Sequence, residues 1–281
     1  MVPRFDVTSG GRRGNLQAGK IRGMTPAEDG NLAEGGILQP GAVALVTGAS
    51  AGIGAATARA LAARGVRVIC ASRNKARLDD LVTELGAGAQ AIELDVADPA
   101  SVESLIERLP EDLRALDILV ANAGHDLGGR RPFDEGAVAD WVTIIETNVI
   151  GMIRTCHAVV PGMVARGRGH VVTLGSIAGL GTYKGGTIYN ASKYAVHGFT
   201  EALRKDYGAS DLRVTEILPG LTRTEFAAAR HRGDSTKGTA FYDSFAEVLD
   251  PADIARAIVY ALEQPARVTV AQMVVVPSHE N

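Results

Sequence analysis

The sequence predicts a doubly wound α/β sandwich, a seven-stranded parallel sheet with helices on both faces, in one domain spanning residues 41–281 behind an N-terminal tail, residues 1–40. Three observations predict it. Short β-branched runs alternate with longer stretches that place apolar residues every three or four positions, the respective signatures of buried strands and amphipathic helices. The patterns follow one another as strand, helix, strand, helix, which is what parallel pairing requires, because each crossover must carry the chain back over the sheet. Hydrophobic residues make up 46% of the chain and aromatic ones only 5%, so a large core must be built from Ala, Val, Leu and Ile.

In order along the chain, strands are expected at 43–46, 66–69, 91–94, 118–120, 171–174, 214–217 and 273–276. Between them, 55–64, 76–85, 102–109, 138–166 and 188–207 carry the helical period. A last helix is signalled by Asp250 as N-cap, Pro251 at its first position and Pro265 as its stop. The first 40 residues are rich in Gly, with scattered charges and few clustered apolar side chains, so burial cannot offset their ordering entropy and a mobile tail is expected. Five basic residues against one acidic among the first 23 faintly resemble a targeting peptide, but the glycines argue against an amphipathic helix; Met24 is an alternative start.

A formal net charge of −3 leaves no basic footprint, so nucleic acid is not an expected partner. Cys70 and Cys156 lie in apolar stretches without metal-ligand spacing and read as packed, reduced thiols; no metal site is expected. No apolar run approaches the ~18 residues that span a bilayer, and no secretory segment opens the chain. A cytoplasmic protein without a membrane partner is the expectation.

Directly after the first strand comes Thr47-Gly48-Ala49-Ser50-Ala51-Gly52-Ile53-Gly54, leading into a helix. Glycines at a strand-to-helix turn let the main chain approach a pyrophosphate, whose charge is met by N–H groups at the helix start. In dinucleotide folds the end of the second strand then reads the adenosine ribose: a carboxylate accepts its hydroxyls, whereas an arginine accommodates a 2′-phosphate. Here that end reads Cys70-Ala71-Ser72-Arg73-Asn74, with no carboxylate. Arg73 offers a planar, permanently charged fork, so NADP(H) is favoured over NAD(H); the bland alternative is a solvated loop charge.

Tyr189-Asn190-Ala191-Ser192-Lys193 falls within a helical pattern, and a four-residue step returns nearly to the same face, making the phenol and the ammonium neighbours. A free tyrosine has a pKa of about 10, too high for a base at neutral pH, and a nearby cation stabilises phenolate. Lys193 is the expected cation, drawing the Tyr189 phenol downward.

Thr47 to Gly54 as TGxxxGxG, Asn122-Ala123-Gly124, Ser176 and Tyr189-x-x-x-Lys193 together resemble the short-chain dehydrogenase/reductase family, over nearly all of residues 42–277. The resemblance implies a Rossmann-type fold and a small-molecule oxidoreductase. It implies a catalytic tetrad of Asn148, Ser176, Tyr189 and Lys193: Tyr189 as acid/base, Lys193 as its partner and ribose contact, Ser176 as donor to the substrate oxygen, Asn148 as the residue ordering a relay water. It further implies cofactor contacts at Gly48, Ser50, Ala51, Gly52, Ile53, Gly54, Ser72, Arg73, Asp95, Val96, Asn122, Ala123, Gly124, Pro219, Gly220, Thr222 and Thr224, beside Tyr189 and Lys193. Asp95 alone reads equally well as a loop cap. Ala51 departs from the basic residue of many NADP-using relatives, leaving Arg73 as the main support for the 2′-phosphate. A homo-oligomer, tetramer or dimer, is implied, with the 138–166 and 188–207 helices packing across subunits.

The stretch Leu221-Thr222-Arg223-Thr224-Glu225-Phe226, then Arg230-His231-Arg232-Gly233-Asp234, is similar to the NADP-dependent 3-hydroxy acid (serine) dehydrogenase branch. By that resemblance it is a lid in which Arg230 binds an anionic end of the substrate, with Ser176 and Tyr189 at the other end; Arg130 and Arg131 form an alternative anion site, and a basic lid without an anion role stands beside both. A broad carbonyl reductase of uncharged substrates and a non-catalytic cofactor sensor remain the competing functions.

Overall fold

A computed structural model describes residues 36–279 of the chain; residues 1–35, most of the expected tail, lie outside the described residues. Seven parallel strands form one sheet: β1 (Val43–Thr47), β2 (Arg67–Ser72), β3 (Ala89–Glu93), β4 (Ile118–Ala121), β5 (Gly169–Leu174), β6 (Leu212–Pro219) and β7 (Gln272–Val275). Their spatial order is β3-β2-β1-β4-β5-β6-β7. The order reverses between β1 and β4, so crossovers leave in opposite directions there and open a crevice at the carboxyl ends of the strands.

Alternation along each strand divides the core. In β1, Val43 and Leu45 face one apolar cluster and Ala44 and Val46 the other, as a two-residue period dictates. The second cluster is roofed by α1 (Gly52–Ala62), α2 (Lys75–Leu85) and α10 (Pro251–Glu263). The first is closed by α3 (Pro99–Glu103), α4 (Leu105–Arg108), α6 (Met152–Ala165) and α7 (Thr187–Asp206). The start of α10 follows the sequence signals: Asp250 caps it, Pro251 is its first residue, and Asp253 returns a bond to the Asp250 backbone.

The structure differs from the sequence expectation in four places. Gly36 to Pro40 pack on the body: Ile37 is buried in the second cluster and Gly36 lies against the last turn of α10. The helix expected at 102–109 is two short ones, broken where the Ser104 hydroxyl bonds back to the Ala100 carbonyl. The helix expected at 138–166 is α5 (Val138–Ile145), a π-type turn over Glu146–Gly151, and α6. The segment read only as a lid contains α8 (Phe226–Arg230) and α9 (Ser235–Asp243). Among the described residues, no helix is long and apolar enough to cross a membrane.

Candidate active site

The crevice is a cleft of about 880 Å³ at the carboxyl ends of the central strands. Its cofactor side is built on backbone. Gly48 adopts φ +66°, a region that side chains disfavour, and a Cβ on Gly54 would collide with the Gly48 carbonyl. Thr47 and Asn122 clamp this turn to β4: the Asn122 side chain donates to the Thr47 carbonyl (2.8 Å), and the Asn122 and Ala123 backbone N–H groups both donate to the Thr47 hydroxyl (3.0 Å each). The turn feeds α1, which carries no acidic side chain in its first turn. Eleven residues of aligned peptide dipoles therefore present their positive end to the cleft. Arg73 lines the cleft at the end of β2, and no carboxylate among the described residues pairs with it. This cradle and this cation fit a pyrophosphate with a 2′-phosphate.

Of the expected contacts, Gly48, Ser50, Ala51, Gly52, Ile53, Arg73, Asn122, Gly124, Ser176, Tyr189, Lys193, Pro219, Gly220, Thr222, Thr224 and Arg230 line the cleft. Gly54, Ser72, Asp95, Val96, Ala123 and Asn148 do not, and each has another visible task. Gly54 allows the close approach within the turn. The Ser72 hydroxyl accepts from the Asn74 backbone (3.2 Å), and Asp95 caps the next loop by accepting from Ala97 (2.9 Å). Val96 packs against Gly151 of the π-type turn. Ala123 joins the clamp on Thr47. Asn148, buried in the π-type turn, exchanges two hydrogen bonds with the His125 backbone (2.9 Å each) and donates to Ser192 on α7 (3.1 Å), tying three elements together.

Tyr189 and Lys193 both lie on α7, as their spacing predicts, and both are buried. The expected lowering of the phenol is not what the arrangement produces. Burial pushes the Tyr189 phenol above its ordinary value, reinforced by the nearby Tyr183 phenol, while Arg230 and the Ser176 hydroxyl pull weakly the other way. Lys193 has its ammonium 5.8 Å from the tyrosine ring centroid and donates to the Leu174 carbonyl (2.8 Å). Burial draws its own pKa down to about 8, against an opposing pull from the Glu216 charge. Ser176 sits in extended backbone and caps the short turn Ile177–Gly179, accepting from Ala178 (3.1 Å), so its oxygen is fixed at the mouth of β5.

The lid side is built on side chains. Thr224 stands against Gly52, and Phe226 packs edge-on to Tyr189 (5.5 Å between centroids). Arg230 reaches across to Asp126 through Nε (2.7 Å), both partners nearly buried, so its charge is opposed by a carboxylate. Burial raises the Asp126 carboxyl and Arg230 opposes that rise. Arg130 stacks on Tyr183 (4.3 Å to the ring centroid) and Phe241 (5.4 Å), and no carboxylate among the described residues pairs with it. Its neighbour Arg131 does not line this cleft; its backbone donates to Gly185.

Sequence reading missed His125, Asp126, Tyr183, Phe226 and Phe241, all of them at or beside this cleft. His125 had a signal, since it directly follows Asn122-Ala123-Gly124; burial and then the Arg73 charge lower the pKa of its imidazole. The aromatic residues had none beyond proximity in a segment of unspecific composition. Cys70 and Cys156 are buried, and burial pushes both thiols up to about 12, so neither is a nucleophile near neutrality.

Comparison with known proteins agrees with this geometry. Residues 42–235 match the family model described as short chain dehydrogenase. The NADP-dependent 3-hydroxy acid dehydrogenase of Salmonella typhi is 40% identical over 236 residues, covering 84% of this chain and 94% of that one. Sulfoacetaldehyde reductase 2 of Chromohalobacter salexigens is 38% identical over 241 residues, covering 85% and 95%. Among solved structures, the closed form of a serine dehydrogenase complexed with NADP+ matches with a TM-score of 0.82 at 38% identity, over 85% of this chain and 96% of that one. A family model that runs from the first strand into the lid, and relatives this similar along nearly their whole length, make the chain a member of the short-chain dehydrogenase family.

Proposed function

We propose that this protein is an NADP(H)-dependent oxidoreductase that interconverts a small hydroxy acid and the corresponding aldehyde or ketone, with Tyr189 as proton donor and acceptor. The observation that carries the reading is the convergence, in one cleft, of the glycine cradle and Arg73 with Ser176, Tyr189 and Lys193. The relatives named for NADP and for 3-hydroxy acids support the choice of cofactor and substrate.

When bound, the cofactor supplies a hydride to a carbonyl carbon or takes one from a carbinol. The backbone N–H groups of the cradle would hold the pyrophosphate and the Arg73 fork the 2′-phosphate. Pro219, Gly220, Thr222 and Thr224, which line the same cleft, would border the nicotinamide end. Ser176 donates to the substrate oxygen, on which negative charge develops during reduction. The Tyr189 phenol then delivers its proton, and the raised pKa keeps that proton in place at neutral pH, the state reduction needs. Oxidation needs the phenol to give up its proton beforehand, a step the Lys193 ammonium favours. Asn148 holds the π-type turn, the His125 loop and α7 in register around them.

An anionic end of the substrate meets Arg130, with the outer edge of Arg230 beside it and Asp126 anchoring Arg230 from behind. A second reading, a broad reductase of uncharged carbonyls, is favoured by the same ion pair, because Asp126 cancels the Arg230 charge. Assays of small hydroxy acids and semialdehydes against neutral analogues separate them. In the first reading Arg130→Ala raises KM for the acids by about tenfold, the value of one charged hydrogen bond, and leaves neutral substrates unchanged; equal KM values for both classes in the unaltered enzyme support the second. A homo-oligomer, dimer or tetramer, belongs to this proposal: α5 exposes Val138 (66%) and Val142 (54%), and α7 exposes Tyr194 (44%), on the helices assigned to subunit contacts. So do a cytoplasmic location and, in line with a formal net charge of −3, the lack of a nucleic-acid partner.

A further inference from the structure

Beneath the floor of the cleft lies a buried acid that the steps above do not use. Glu216 sits in the middle of β6, 2% exposed. One carboxylate oxygen, Oε2, contacts His197 Nδ1 on α7 (2.7 Å) and accepts from Gln272 Nε2 on β7 (3.2 Å). The other, Oε1, is buried and has no hydrogen-bond partner. An unpartnered buried carboxylate oxygen is costly, so its retention calls for a reason.

The position of Oε1 supplies one. It lies directly under Gly175, where even a methyl group would collide with it. Gly175 stands between Leu174, whose carbonyl receives the Lys193 ammonium, and Ser176. His197 is one helical turn beyond Lys193 on α7. The carboxylate is therefore beneath the Ser176, Tyr189 and Lys193 group, beyond ion-pair distance of the ammonium and separated from it by buried protein, where charges are poorly screened.

We propose that Glu216 is the counter-charge that keeps Lys193 protonated inside the closed site, and so a positioning residue for proton transfer at Tyr189. The groups packed around Lys193 fit this assignment. Its own helix brings Tyr189 and His197; the end of β5 brings the Leu174 carbonyl; the π-type turn brings Asn148, which is neutral and spent on His125 and Ser192. The turn Ile177–Gly179 brings no titratable side chain, and β6 brings Glu216. Burial pulls the Lys193 ammonium down to about 8, and the Glu216 charge holds it up against that pull. Without the carboxylate, burial would draw Lys193 lower still and leave less of it charged beside the Tyr189 phenol.

The inference rests on the functional reading only where it speaks of proton transfer; the charge of Lys193 is measurable in the full chain without cofactor or substrate. Labelling lysine at 13Cε and following its resonance with pH gives the Lys193 midpoint, identified by its loss in Lys193→Arg. Glu216→Gln keeps the size of the side chain and a polar contact with His197 but removes the charge; the Lys193 midpoint is expected to fall by at least about one pH unit, a tenfold change in proton affinity. Glu216→Asp withdraws the charge by one methylene and is expected to give a smaller fall; where the Gln variant does not fold, the Asp variant decides alone. In turnover, the alkaline limb of the kcat profile moves toward acid in the same order, whereas a merely structural residue would lower kcat equally at every pH. A Lys193 midpoint unmoved in the folded variants overturns the proposal. Loss of the functional reading would show separately, as Tyr189→Phe retaining full turnover.

Discussion

The two walls of the cleft are made differently. On the cofactor side, the turn from β1 into α1 is shaped by main-chain geometry and clamped by Thr47 and Asn122, so its form is set by a few glycines close together in sequence. On the lid side, Phe226, Arg230 and Phe241 meet Asp126, Arg130 and Tyr183, which lie far away along the chain. A wall built from backbone can be read as a motif, and a wall built from distant side chains cannot. On the proposed reading the first serves the cofactor and the second the substrate, which is where specificity is expected to vary.

The largest effect should come where the walls meet. Tyr189→Phe removes the proton donor while preserving the edge-on packing with Phe226, so turnover should fall by about 10²- to 10⁴-fold, the usual range for general acid–base help. Cofactor binding measured by fluorescence should change far less, because only one hydroxyl among many cofactor contacts is removed. Retained turnover would mean that another group carries the proton and that the two walls do not converge on Tyr189.

Next in size is a test of the cofactor wall by itself. Arg73→Ala should weaken NADPH binding by about 10- to 100-fold, matching the ~1.5–3 kcal/mol of charge-assisted hydrogen bonds, and leave NADH binding unaltered. Equal losses for both cofactors would show that Arg73 supports the loop rather than reading the phosphate.

The same contrast governs how much was legible. Seven strands followed from short aliphatic runs, because a parallel sheet buried on both faces writes them near-continuously, whereas their order across the sheet is a matter of tertiary structure that no run announces. The spacing of Tyr189 and Lys193 places both on one helix face, but spacing does not report burial, which raises the phenol and lowers the ammonium. The π-type turn at Glu146–Gly151 was hidden, since the apolar period runs on through it and the close approach of Gly151 to Val96, some fifty residues earlier, leaves no local mark. Glu216 was visible as a charge inside a strand pattern, a local conflict that deserved a question. The Asp126 to Arg230 pair joins residues 104 positions apart, and no local pattern announces it.

The sheet beneath the walls gives a prediction of comparable size, in stability rather than activity. His170 on β5 is fully buried, hydrogen-bonded through Nε2 to Thr215 (2.8 Å), and its pKa is pushed down to about 3 by burial. A histidine that protonates near 6.5 when unfolded and near 3 when folded contributes stability that is whole above pH 6.5 and is lost as pH falls toward 3. By pH 5 the loss is about 2 kcal/mol. Urea unfolding at pH 7 and pH 5 should show that loss in the unaltered protein, and His170→Gln, which cannot titrate, should reduce it. A difference between the two pH values that is equal in both proteins would place the acid sensitivity elsewhere.

The smallest effect is expected at an ion pair that joins the two walls. Arg77 on α2 and Glu225 just before α8 pair at 2.5 Å over the mouth of the cleft, and both line it. Their side chains are 48% and 62% exposed, so the bond is worth no more than about 1 kcal/mol, and less as salt rises. Glu225→Gln should leave the unfolding midpoint unmoved. Its effect on NADPH binding depends on which wall the pair serves. If Glu225 mainly places a negative charge beside the phosphate site, removing it frees Arg77 and tightens NADPH two- to threefold at low salt, within the ~1 kcal/mol scale of such a pair. That is the expected result, because Arg77 stands near Arg73 in the same cleft. A weaker NADPH affinity in Glu225→Gln would mean instead that the pair holds the lid over the bound cofactor, so that the side-chain wall contributes to a site the backbone wall otherwise builds.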